Sequence, residues 1–70
     1  MQLIMISSKT CSLCNAYERY IIQNGLNIDI RYIGGLSSYP SFVIQNGEEL
    51  KKLYGISLHD AIEQFNQEVK

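Results

Sequence analysis

The sequence predicts an α/β domain in the order β-α-β-β-β-α, with one four-stranded mixed sheet covered by two main helices. Three observations carry that expectation. An Ile-rich run from Leu3 to Ile6 gives way first to apolar residues spaced three and four apart and then to strict alternation over Leu26 to Ile33. Asn46-Gly47 separates two further strand-like runs, and the segment after Ser57 has one apolar face. Seventy residues hold one core, so residues 1–70 form a single domain without repeats or linkers.

Leu3 to Ile6 reads as a central strand buried on both faces. Leu13, Ala16, Tyr17, Tyr20 and Ile21 mark the apolar side of helix one, and Asn24-Gly25 supplies its stop. In the next run Leu26, Ile28, Ile30 and Tyr32 share one face and Asn27, Asp29 and Arg31 the other, the pattern of a half-buried strand at a sheet edge. Strand, helix and strand in about 30 residues form a βαβ unit with parallel strands. Ser41 to Gln45 and Glu48 to Tyr54 flank Asn46-Gly47, whose two residues both accept the positive φ of a type I′ turn, so a hairpin is expected. Gly55 breaks the chain. Ser57-Leu58-His59-Asp60 has the form of a capping box, and Leu58, Ala61, Ile62, Phe65 and Val69 make the inner face of a helix.

Six Lys or Arg against seven Asp or Glu leave a net charge of -1, which lacks the electrostatic footprint of a nucleic-acid binder. Five of the seven acids lie after position 47, so the half that holds the cysteines is the less acidic one. The N-terminal run has no basic residue before it and no small-residue cleavage site, unlike a signal peptide, and no stretch reaches membrane-spanning length. A reducing cytoplasm is the expected compartment, with no membrane partner. The five tyrosines read mainly as core and rim packing, with Tyr39 and Tyr54 able to line a groove beside Cys11; His59 reads as a surface residue.

Both cysteines lie in the segment Ser7 to Ala16, three positions apart. A disulfide closing so small a loop is worth about 2 kcal/mol at best, a poor staple, and in a reducing compartment such a pair is more often catalytic or metal-binding. Cys11 falls in the turn before helix one and Cys14 in its first turn, so the sulfurs share a face and can meet. Unpaired backbone N–H groups and the helix dipole there stabilise a thiolate, lowering a thiol pKa of about 8.5 to roughly 3.5–7.5 in such settings. Lys9 adds to the effect, and no acid lies between Ser7 and Tyr17. The reading is that Cys11 attacks a target disulfide and the less exposed Cys14 then attacks Cys11, leaving the redox-active disulfide Cys11–Cys14. Two alternatives stay open: inert buried thiols, and a non-catalytic binding module with zinc shared between two chains through the cysteine pair. Zinc held within one chain lacks ligands, since only His59 joins the two cysteines.

These residues resemble a glutaredoxin of the thioredoxin-fold superfamily: Ile4-Met5-Ile6 leading to Lys9-Thr10-Cys11-Ser12-Leu13-Cys14, then Tyr39-Pro40-Ser41-Phe42-Val43-Ile44, Asn46-Gly47, and Gly55 before a final helix. The resemblance spans nearly the whole chain and implies a minimal thioredoxin-like fold and thiol-disulfide oxidoreductase activity without a bound cofactor. It implies that Pro40 is cis and lies against the cysteines, with Tyr39 pairing through its backbone to the bound peptide or glutathione. Substrate or glutathione would be held by Lys9, Thr10, Leu13, Tyr39, Pro40 and Ser57. The implied partners are a protein with a reducible disulfide, ribonucleotide reductase being one candidate, and glutathione or a flavin-dependent thioredoxin reductase as electron donor, with the chain acting as a monomer.

Three features depart from the family. Ser12 and Leu13 replace the usual proline and aromatic residue between the cysteines, and Gly55-Ile56-Ser57 replaces paired glycines followed by an acid. The connection Gly34 to Tyr39 is too short for the helix that relatives carry between strands two and three, so that helix should be lost or reduced to a turn. One sheet face should then be thinly covered, by Leu36, Tyr39 and neighbouring tyrosines or by a partner.

Overall fold

A computed structural model describes residues 1–36, 39–53 and 57–69. Six elements follow in the expected order: β1 (Gln2–Ser7), α1 (Ser12–Gln23), β2 (Ile28–Tyr32), β3 (Ser41–Asn46), β4 (Glu49–Leu53) and α2 (Leu58–Val69). Four strands form one mixed sheet in the order β2-β1-β3-β4, with β1 and β2 parallel and the other two pairs antiparallel. The Ile-rich β1 is central, and its Leu3, Ile4 and Met5 are buried on alternate faces.

Period-two alternation sorts the sheet into two faces. Leu3 and Met5 pair in register with Ile28 and Ile30 on one side and with Ile44 and Phe42 on the other. These residues join Leu53, Ile21 of α1 and Leu58 and Ala61 of α2 in one buried cluster, so both helices pack on the same face. Phe42 is the largest wholly buried side chain, and its ring meets that of Tyr17 with centroids 6.3 Å apart. On the other face Ile4 and Val43 pair side by side between Asp29 and Lys52 and are only 4% and 6% exposed, although neither helix lies there. No element stands between β2 and β3 among the described residues, as the short connection requires. The Tyr39 hydroxyl donates to the Ile33 carbonyl and accepts from the Leu36 N–H, tying the loop to itself.

The inner side of α1 is narrower than its spacing suggests. Cys14 and Ile21 are buried and Tyr17 half-buried, whereas Leu13, Ala16 and Tyr20 face solvent. The helix ends in a Schellman motif: Gly25 at φ 60° donates to the Ile22 carbonyl, and Leu26 N–H reaches back to Ile21 at 3.0 Å. Leu26 then packs on the core. In α2, Leu58 and Ala61 are buried, Ile62 and Phe65 half-buried and Val69 exposed, while Ser57 caps the helix by accepting the Asp60 N–H at 3.3 Å.

The hairpin corrects the expected turn. Asn46 pairs with Glu49, so the two-residue loop is Gly47-Glu48, not Asn46-Gly47. Positive φ falls on Gly47 alone, at 64°, which suits a II′-like turn with glycine first rather than type I′. Extending β3 by one residue keeps Asn46 in the ladder.

Candidate active site

The turn from β1 into α1 is built by Ser8. Its carbonyl accepts the Cys11 N–H at 3.2 Å, and its hydroxyl contacts the Thr10 hydroxyl at 3.2 Å and accepts the Thr10 N–H at 3.4 Å. This turn delivers Cys11 in extended conformation, φ -96° and ψ 111°, as the N-cap of α1. Its sulfur does the work that a serine or aspartate oxygen does elsewhere, accepting the Cys14 N–H at 3.1 Å. No acidic residue occupies the first turn of α1.

Cys11 and Cys14 have Cα atoms 5.2 Å apart and their sulfurs at disulfide-bonding distance. They differ in access: Cys11 is half-buried and Cys14 wholly buried. Beside them Lys9, Thr10, Ser12 and Leu13 are exposed, Leu13 at 51%. Lys9 lines a shallow groove of about 280 Å³ with Ser7, Ser8, Tyr32, Ile33 and Gly34, on the β2 side of the turn.

The other expected site residues are placed by the sheet. Ser41 pairs with Ile6, so Pro40, the residue before it, lies level with Ser7 at the end of the sheet from which the Ser8 turn leaves. The Tyr39–Pro40 peptide is cis. Ser57 stands at the start of α2, exposed, with its hydroxyl occupied in capping and with Asp60 in the first turn. No hydrogen bond of Ser57 reaches the cysteine pair among the described residues. Tyr54, Gly55 and Ile56 lie outside the described residues, as do Ser37 and Ser38 of the loop before Tyr39. His59 is exposed, and among the described residues no group of three or more His, Cys, Asp or Glu is gathered as for a metal ion. No helix among them is long and apolar enough to cross a membrane.

Sequence reasoning missed one cluster. Ser7, wholly buried at the end of β1, donates its hydroxyl to Glu18 Oε2 at 3.2 Å, and Tyr32 at the end of β2 donates to Glu18 Oε1. The hydrogen bond to Glu18, then desolvation and then the carboxylate's charge, raise the Tyr32 phenol above its ordinary value of 10.0. No local pattern signals this cluster, because its three residues come from β1, α1 and β2. No family model, curated protein or solved structure matches the chain.

Proposed function

We propose that the chain is a glutaredoxin-like thiol-disulfide oxidoreductase on a minimal thioredoxin-like fold, with Cys11 the attacking sulfur and Cys14 the resolving one. The observation that carries the reading is Cys11 at the head of α1, partly accessible, its sulfur already accepting a backbone N–H at 3.1 Å. Once the pair is reduced, a backbone N–H aimed at this sulfur and the N-terminal end of α1 both favour a thiolate. Ser41 pairs with Ile6, and the place of Tyr39 and Pro40 just before it, beside the end of β1, suits docking of an extended segment across the Tyr39 backbone.

The Cys11 thiolate attacks one sulfur of a target disulfide, and the other sulfur leaves as a thiolate that takes a proton from water. Cys14 then loses its proton and attacks Cys11, expelling the second target sulfur. Two electrons pass from the dithiol to the target, and Cys11–Cys14 is left oxidised for glutathione or a flavin-dependent reductase to reduce. The carboxylate of Asp60 at the head of α2 opposes an anion there, which favours protein disulfides over glutathione-mixed ones as substrates.

The first test is substitution at the two sulfurs. Cys11→Ser should lose all disulfide reductase turnover, whereas Cys14→Ser should still attack and accumulate a mixed disulfide visible by mass spectrometry. The Cys11 thiol should titrate below the free-cysteine value of about 8.5. Full turnover in Cys11→Ser, or a Cys11 thiol no more acidic than free cysteine, overturns the reading. A zinc-bound dimer of the reduced protein would replace it with the metal-sharing module.

A further inference from the structure

We propose that Asn46 is a site of spontaneous modification, converting to aspartate or isoaspartate, and that the fold protects the same dipeptide at Asn24. The chain holds two Asn-Gly pairs, Asn24-Gly25 and Asn46-Gly47. In such a pair the backbone nitrogen of glycine can attack the side-chain amide carbon of asparagine, because no side chain on the glycine stands in the way. The nitrogen gives up its proton to water or hydroxide, a bond forms from it to Cγ, and the side-chain nitrogen leaves as ammonia. Water then opens the cyclic imide at either carbonyl. One opening gives aspartate, and the other gives isoaspartate, whose main chain runs through Cβ. The sum is amide plus water to acid plus ammonia, with no oxidant or reductant. It needs a glycine nitrogen that is not engaged and an asparagine side chain free to turn onto it.

The two pairs differ in both respects. At the end of α1 the Gly25 N–H donates to the Ile22 carbonyl at 3.2 Å, and the Asn24 side-chain amide donates to the Tyr20 carbonyl at 2.8 Å. Attacking and attacked groups are both tied, and the next N–H, of Leu26, is held by Ile21 at 3.0 Å. At the hairpin, Asn46 and Gly47 are exposed, and a β-carbon added at Gly47 would meet nothing within 4 Å. Among the described residues neither the Asn46 side chain nor the Gly47 N–H makes a hydrogen bond. The Gln45 side chain donates at 3.4 Å to the Gly47 carbonyl, which leaves the nitrogen unengaged. Asn46 is also the last rung of the β3–β4 ladder, so moving it opens only the ladder's end. A carboxylate gained there stands directly opposite Glu49, and isoaspartate lengthens the β3 main chain, so either product loosens the hairpin. The cysteines lie beyond the other end of β1, whose Gln2 pairs with Gln45, so the dithiol should be unaffected.

The test is to age the full chain at mildly alkaline pH, folded and in urea, and to map it by mass spectrometry. Arg31 lies between the two pairs, so trypsin delivers them in separate peptides. Two hydrogen bonds of ordinary net strength correspond to about 10-fold or more in rate, so folded Asn24 should convert at least that much more slowly than folded Asn46. In urea the protection is lost and the two rates should become comparable. Asn46→Gln should abolish conversion in its peptide, because the longer side chain would have to close a larger ring. Equal rates at the two sites in the folded protein overturn the proposal, as does an Asn46 that stays intact when folded but converts in urea. Aged wild type should melt below aged Asn46→Gln, and equal melting overturns the loosened hairpin.

Discussion

The two helices begin in opposite ways. At α2 the cap is a serine hydroxyl, and Asp60 in the first turn supplies the negative charge that the helix end favours. At α1 the cap is a sulfur, and the first turn carries no acid. The first end carries its own anion in the first turn, while the second does not. Both helices pack on one cluster, so the difference lies in the capping residues and not in the packing beneath them.

The largest expected effect removes that shared support. Phe42→Ala should cost about 3–5 kcal/mol, enough to unfold much of a domain this small and to lose both helix starts together, as seen by circular dichroism. Next is the cap of α2. Ser57→Ala should cost about 1 kcal/mol and lower the melting temperature by roughly 4–8 °C, with the titration of the Cys11 thiol unmoved. A charge placed at the other start sharpens the contrast. Ser12→Asp should raise the Cys11 pKa by about 0.2–0.7 units, which corresponds to the 0.3–1 kcal/mol of a charge at a helix end, whereas Asp60→Asn should destabilise the fold by a similar amount and leave Cys11 alone. If Ser12→Asp leaves the thiol pKa unchanged, the helix end does not govern it.

The smallest effect lies beside α1. The folded state holds the Tyr32 proton more tightly than the unfolded chain, so the unfolded chain ionises first as pH rises. The stability from its bond to Glu18 is whole below the ordinary phenol value of 10.0 and is lost as pH climbs through the raised one. Denaturant melts of wild type and Tyr32→Phe should therefore converge at alkaline pH.

Much of this was legible in the chain. Periodicity marked the six elements, and the cysteine spacing at a strand-to-helix junction pointed to the site, because local patterns report local structure. What could not be read depends on distant partners. Ser7, Glu18 and Tyr32 lie 11 and 14 positions apart and meet only because β1 and β2 run parallel beneath α1. The same distance effect misassigned Leu13, Ala16 and Tyr20, whose spacing is helical but whose side of α1 turns away from the sheet. The hairpin loop moved by one residue because the pairing of Asn46 with Glu49 won over the usual preference of Asn-Gly.

The sheet has two open borders, β2 and β4, and each bears opposite charges: Arg31 beside Asp29 on one, and Lys51 reaching Glu68 of α2 on the other. Such borders discourage another chain from zippering on through its main chain. The molecule is thereby kept from lasting main-chain pairing with its own copies, so crowding should not drive it into fibrils.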